Sequence, residues 1–331
     1  MKLDRPIFRP AFLLLFAACC AGAAPADAAD AAYPGKPITL VVPFPPGGPT
    51  DMTARLFGEA MSRDLGQPIV IRNEPGAGGV VGSTSVARKP ADGYTLLWGG
   101  TSSMVVAPAI NKNIQFDPLN DFEAIGTAVR GPMLLVGKKG KDSPVDLQAL
   151  INTTKKRQLT IGSAGNGSIG HLTSAMFKSE YSLDLLHVPY KGGAPALTDL
   201  LSGQIDLLFD TVPLLAQYIK SDKVIAYGLA ADARHPDLPD VPTFKEVTGK
   251  PLIAYSWFGL VAPKGTPSEI VNKLSGALAK ASNTASVQKQ ISTLGLTTVG
   301  DTPADFKNTL KHDLDMWTRV AKEAGVSLQE K

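Results

Sequence analysis

Short runs of aliphatic and β-branched residues alternate along the chain with stretches whose apolar positions recur every three or four residues. The first pattern predicts buried strands and the second amphipathic helices. Ile38–Pro43 reads as a strand, Thr50–Leu65 as a helix, Ile69–Asn73 as a strand and Gly78–Arg88 as a helix. Asp92-Gly93 turns the chain into a strand over Tyr94–Trp98. The middle repeats the scheme. Strands are expected at Met133–Gly137, Leu159–Ser163, Leu185–Val188, Ile205–Phe209 and Val224–Leu229. Helices are expected at Val145–Lys156, Ser168–Tyr181 and Ala194–Ser202. This β-α-β rhythm predicts a parallel, doubly wound α/β architecture. Phe122–Arg130 and Tyr255–Ala262 are apolar and flank the middle block, so they are read as strands crossing between two domains, one of them discontinuous. The tail is helical, with Pro267 near one helix start and Thr302-Pro303 opening another.

The N-terminus departs from this rhythm. Lys2, Arg5 and Arg9 precede an apolar run from Ala11 to Ala24 and an Ala-rich tail to Ala32. Residues 1–29 read as a Sec-type signal peptide cleaved near Ala28 or Ala29, the run being short of the ~20 residues that span a bilayer. Phe16-Ala17-Ala18-Cys19 offers a lipid anchor at Cys19 as the alternative. Cleavage near Ala28 removes Cys19 and Cys20, the only cysteines, so no disulfide is expected. It also removes three basic residues (Lys2, Arg5, Arg9) and two acidic ones (Asp4, Asp27) from totals of 33 and 30, leaving 30 against 28, a formal +2. So small an excess gives no reason to expect a nucleic-acid partner. The remaining length suits two domains.

The informative residues sit where strands end and helices begin. Pro43-Phe44-Pro45-Pro46-Gly47-Gly48-Pro49-Thr50-Asp51 is the first such turn, Asn73-Glu74-Pro75-Gly76-Ala77-Gly78-Gly79 the second, and Gly162 to His171 the third. Prolines stiffen such turns, and glycines let backbone approach a ligand. Thr50 is a candidate N-cap. Helix starts present unpaired N–H groups, which favour an anion, and ligands of open α/β sheets bind beyond the C-terminal strand ends. Gly165-x-Gly167-x-x-Gly170 is formally a dinucleotide fingerprint, but the following strand ends in Pro189-Tyr190-Lys191 without the acidic residue a ribose requires. The histidines, His171, His187, His235 and His312, are scattered, so neither a metal site nor a cofactor is expected. Ser163 or Ser168 with His171 and Asp210 could form a hydrolytic set, but no Gly-x-Ser-x-Gly elbow accompanies them. Lys191 could draw an anion or be solvated. Asp210 could accept from a ligand or cap the next helix.

Several motifs together resemble the Bug-type extracytoplasmic solute receptors, the binding components of tripartite tricarboxylate transport systems. They include Tyr33-Pro34-x-Lys36-Pro37-Ile38, Val42 to Asp51, Pro75-Gly76-Ala77-Gly78-Gly79, Pro90-Ala91-Asp92-Gly93-Tyr94, His187-Val188-Pro189-Tyr190-Lys191-Gly192 and Leu238-Pro239-Asp240-Val241-Pro242-Thr243. The resemblance spans nearly the whole chain after the signal. It implies a type II periplasmic-binding-protein fold: two doubly wound α/β lobes joined by crossing strands, with a ligand cleft between them. Lobe 1 is expected at residues 33–127 plus 256–331 and lobe 2 at 128–255. It further implies a periplasmic, monomeric, non-catalytic protein that grips a small carboxylate by lobe closure and delivers it to membrane permease subunits. A periplasmic ligand sensor is the alternative, and an exported serine hydrolase a third reading. Carried over residue by residue, the first-lobe contacts are Phe44, Gly48, Thr50, Asp51, Gly78 and Gly79, with Ser102 in the loop Thr101-Ser102-Ser103. The second-lobe contacts are Ser163, Gly165, Ser168, His171, Tyr190 and Asp210. No arginine lies in these turns, so no guanidinium clamp is expected there.

Overall fold

The computed structural model describes Met1 and residues 33–111 and 113–327. The expected signal peptide, its cleavage near Ala28 or Ala29, and the anchor at Cys19 lie outside the described residues. The first block runs β1 (Ile38–Val42), α1 (Pro49–Leu65), β2 (Ile69–Asn73), α2 (Val80–Ala87) and β3 (Thr95–Gly100). β1 lies between β2 and β3 and is parallel to both. Its nearly continuous burial is that of a central strand covered on both faces. α1 buries Ala54, Phe57, Met61 and Leu65 as one stripe at helical spacing.

β3 does not open into a loop at Thr101-Ser102-Ser103. It continues into a π-type turn over Ser102–Val106 and then α3 (Ala107–Ile110). β4 (Phe122–Lys138) is one 17-residue strand where the sequence pattern suggested two. The middle block follows as α4 (Leu147–Thr154), β5 (Leu159–Ser163), α5 (Ile169–Tyr181), β6 (Leu185–Pro189), α6 (Gly193–Ser202), β7 (Leu207–Thr211), α7 (Val212–Lys220), β8 (Val224–Ala230) and α8 (Phe244–Thr248). β9 (Tyr255–Pro263) returns the chain, and α9 (Ser268–Ser282), α10 (Ala285–Thr293), β10 (Thr297–Thr298) and α11 (Pro303–Glu323) complete it.

β5 is parallel to β6 and β7. β4 and β9 are antiparallel to each other, because the chain leaves the first block along one and comes back along the other. The sheet is therefore mixed, not uniformly parallel. β4 changes partners along its length: Phe122–Pro132 pairs with β9, and Met133 onward pairs with β7 and β8. One apolar cluster, including Val41, Trp257, Trp317, Phe177 and Phe209, runs through both blocks. Separate clusters around Phe57 and Trp98, and around Leu197 and Leu208, fill the other sheet faces.

Candidate functional site

In the first block, Gly48 is the N-cap of α1 and Pro49 its first residue, so Thr50 is not the cap but lies buried in the opening turn. Proline fits the first helical position because its missing N–H would have no partner there. The first intrahelical bond runs from Met52 N–H to Gly48 C=O, ahead of which come the amides of Thr50 and Asp51. The Asp51 side chain braces the loop. It accepts from Arg55 Nε (2.9 Å) and Nη2 (3.0 Å), from Gly47 N–H (3.0 Å) and from Asn73 Nδ2 (2.9 Å). Asn73 Nδ2 also donates to Phe44 C=O at 3.0 Å. The Arg55 guanidinium, chief among these, holds the Asp51 carboxyl down at about 2.

Phe44, Gly79 and Ser103 meet. Gly79 has φ +97, and a Cβ there would come within 2.6 Å of Ser103 Cβ and 3.2 Å of the Phe44 ring. Ser103 is buried and its hydroxyl lies 3.2 Å from both Gly100 N and Gly100 O. Gly48 and Gly78 face open space, with nothing within 4 Å of an added Cβ. Ser102 is half-buried. The Ser102–Val106 turn packs against both the Ala77–Gly79 turn and α5. It thereby links the Ala77–Gly79 turn of the first block to α5 of the second.

In the second block, Ser168 caps α5 by accepting from His171 N–H (3.2 Å), while its hydroxyl donates to Gly165 C=O (2.8 Å). Gly167 N–H donates to His171 Nδ1 at 3.2 Å. Ser163 Oγ lies 2.7 Å from His187 Nε2 and accepts from Gly165 N–H at 3.2 Å. The His171 and His187 rings stack with centroids 3.9 Å apart and planes within 10°. Burial lowers the His171 imidazole, and burial followed by the neighbouring His171 lowers His187 to about 4. Both rings are therefore neutral at neutral pH. Tyr190 N–H donates to Ser163 C=O at 3.1 Å, but the Tyr190 hydroxyl turns to Asp199 (2.8 Å). Asp210 sits against Gly193, where a Cβ would collide with its Oδ2, and accepts from Thr211 N–H at 2.7 Å. Burial pushes its carboxyl up to about 6. The N-cap of α7 is Thr211, so Asp210 does not fill that role.

These bonds do not assemble a hydrolytic relay. Ser168 Oγ is committed to Gly165 C=O and His171 N–H, and His171 Nδ1 to Gly167 N–H. The Ser163–His187 pair is within reach, but His187 has no carboxylate among the groups that shift it. Such a third group is what orients the base in a triad. Among the described residues no cluster of three His, Cys, Asp or Glu is placed to hold a metal, and no helix is long and apolar enough to cross a membrane. A separate cavity of about 370 Å³ lies where β4, β9 and α11 meet, lined in part by Arg130, Tyr255, Trp257 and Asp313.

Sequence reading singled out His171 but not His187, whose contact with Ser163 exists only once β5 and β6 pair. Asn73 and Arg55, which shape the first turn, were also missed. An Asp and an Arg four apart in a helix is the one local sign of that brace.

Two α/β lobes joined by crossing strands define a type II periplasmic-binding-protein architecture. Residues 53–326 match the tripartite tricarboxylate transporter family receptor, and the chain belongs to this family. It is 37% identical to the periplasmic binding protein BugD, with a TM-score of 0.78 over 90% of this chain and 100% of that one. It is 33% identical to MatC from Rhodopseudomonas palustris, solved with bound malate (TM-score 0.77, 87% and 99% covered). A second R. palustris protein, solved with adipate, is 33% identical (TM-score 0.81, 89% and 99% covered).

Proposed function

We propose that this chain is an exported receptor that captures a small carboxylate between its lobes and delivers it to a tripartite-type membrane permease, without catalysing a reaction. The observation that carries this reading is the packing of the Ser102–Val106 segment against α5 on one side and against the Ala77–Gly79 turn, which also meets Phe44 of the loop before α1, on the other. Helix starts bind anions through free backbone N–H groups and the positive end of the helix dipole. The resolved relatives that hold malate and adipate support the same ligand class.

In this reading Gly48, Thr50, Asp51, Gly78 and Gly79 contribute backbone, and Phe44 and Ser102 line the first lobe. Ser163, Gly165, Ser168, His171, Tyr190 and Asp210 act from the second. Closure turns lobe 33–127 plus 256–331 against lobe 128–255 about β4 and β9. The protein works as a monomer after cleavage near Ala28 or Ala29. A thermal-shift panel of malate, adipate, tricarboxylates, amino acids and aromatic acids tests it, since ligands of the native state raise its melting temperature. Carboxylates should stabilise. Stabilisation by neutral sugars or amines alone would contradict the reading.

A further inference from the structure

The α5 turn of the second lobe holds no permanent cation, and the ammonium of the neighbouring β6–α6 turn, Lys191, is exposed to solvent. Arg55, near the first turn, is held by Asp51. The α5 turn offers amides, hydroxyls and two neutral imidazoles stacked 3.9 Å apart. Their hydrogen bonds distinguish them. His171 Nδ1 accepts from Gly167 N–H, so its proton sits on Nε2. A second proton would have to go to Nδ1 and break that bond. His187 has no such conflict. Its Nε2 faces Ser163 Oγ at 2.7 Å, and Ser163 has a second acceptor, Gly165 C=O, at 3.1 Å. When His187 is neutral with its proton on Nδ1, the Ser163 hydroxyl donates to Nε2. When Nε2 carries a proton it donates to Ser163 Oγ, and the hydroxyl turns to Gly165 C=O. In each state the Ser163–His187 contact persists, and only the direction of its proton and the aim of the Ser163 hydroxyl change.

We propose that His187 is the proton-taking residue of the cleft: an entering carboxylate draws one proton from solvent onto Nε2, and Ser163 rotates to accommodate it. The inference rests on the carboxylate-receptor reading above. The balance is simple. The ligand stays ionised, imidazole becomes imidazolium, and buffer supplies the proton. Uptake stops at one, because two imidazolium rings in a 3.9 Å stack repel strongly. Around the stack, β5 contributes Ser163, α5 contributes Ser168 and His171, and the β6 end contributes Tyr190, whose hydroxyl is engaged by Asp199. Asp210 at the β7 end contributes a further carboxylate, which accepts from Thr211 N–H, and Lys191 follows Tyr190 with its side chain exposed. Among the described residues no carboxylate, ammonium or guanidinium group is hydrogen-bonded to either ring, whose bonded partners are Ser163 and Gly167. The pair is thus free to respond to a ligand charge. A carboxylate ~6 Å away raises proton affinity on the order of a hundredfold in a partly solvated site. By reciprocity, ligand affinity gains as the pH falls.

Calorimetry with malate, or adipate if malate does not bind, in two buffers of different ionisation enthalpy tests this. At pH 6 the wild-type chain should take up about half a proton per ligand, and affinity should rise about tenfold from pH 7 to pH 5. His187→Gln, which keeps an amide for Ser163, should lose the uptake and flatten the pH profile, while Asp210→Asn, which alters the binding site itself and shifts affinity, should still take up a proton per bound ligand. Proton NMR of the wild-type histidines should show one titration midpoint move upward with ligand, at the resonance missing in His187→Gln. Uptake that disappears only in Asp210→Asn, or carboxylate binding with no uptake and no moving histidine, overturns the inference alone. Failure of every carboxylate to bind at any pH overturns the receptor reading as well.

Discussion

Asp51 accepts both ends of the Arg55 guanidinium, at 2.9 and 3.0 Å, one helical turn further along α1. The same carboxylate takes Gly47 N–H and Asn73 Nδ2, so one buried side chain fixes the loop that carries Phe44 and Gly48. Its carboxyl is lowered from 3.8 to about 2. A depressed carboxyl stabilises the fold above its unfolded value, and that stability is lost as the pH falls from about 4 through about 2. The shift corresponds to ~2 kcal/mol, and solvent around Arg55 reduces this to about 1 kcal/mol. Asp51→Ala, which also removes the acceptor shared by Gly47 N–H and Asn73 Nδ2, should lower stability by about 2 kcal/mol at pH 7 in urea titrations. It should also weaken ligand binding by loosening the loop.

Gly79 is held between Phe44 and Ser103 at φ +97. Gly79→Ala adds left-handed strain of about 1–2 kcal/mol and an overpacking cost of about 1–3 kcal/mol. Chemical denaturation should show a loss of about 2–4 kcal/mol, and calorimetry a loss of carboxylate affinity of at least tenfold.

Asp210 shifts in the opposite direction from Asp51, from 3.8 to about 6. A raised carboxyl binds protons more tightly in the folded state. Its unfavourable contribution therefore grows as the pH rises from about 4 to about 6 and is constant above. Asp210→Asn can still accept from Thr211 N–H and should stabilise the ligand-free protein by about 1–2 kcal/mol at pH 7. The gain should vanish near pH 4. Melting temperatures of variant and wild type across this range check the sign, and taking their difference cancels the separate contribution of the histidines.

Trp257 Nε1 donates to Asp313 Oδ2 at 2.7 Å, tying β9 to α11 beside the crossing strands. Burial raises the Asp313 carboxyl, and the Trp257 bond partly offsets it. Asp313→Ala leaves the buried indole N–H without its acceptor and should cost about 1–3 kcal/mol. A lower urea midpoint with an unchanged denaturant slope would show it.

Much of this architecture is visible in the chain itself. β2 and β5 fall on the expected residues, because compact β-branched runs bounded by turn residues state their own limits. The expected helix over Ser168–Tyr181 matches α5, which starts at Ile169 behind a Ser168 cap, whereas the expected Thr50 cap is displaced by Gly48. The sequence pattern ends one strand at Arg130 and starts another at Met133, with Gly131-Pro132 between them. Pro132 instead pairs with Tyr255, and the absence of a Gly131 side chain leaves room for Leu296, a contact far away in sequence. The helical turn at Ser102–Val106 was hidden by a β-branched pair and a nearby proline, and it owes its form to packing on α5 and α11. Within the site, glycine turns announce backbone. The Asp51 brace and the Ser163–His187–His171 arrangement depend on strand register, which no local pattern encodes.

The central claim is that the two sets of strand-end turns close on a carboxylate. Small-angle scattering of the mature chain, with and without a saturating dicarboxylate that gives a calorimetric signal, tests it most directly. A smaller radius of gyration on binding, absent in Gly79→Ala at the same ligand concentration, is the predicted result. Carboxylate binding with an unchanged radius of gyration, or compaction by a neutral sugar and not by any carboxylate, would contradict it.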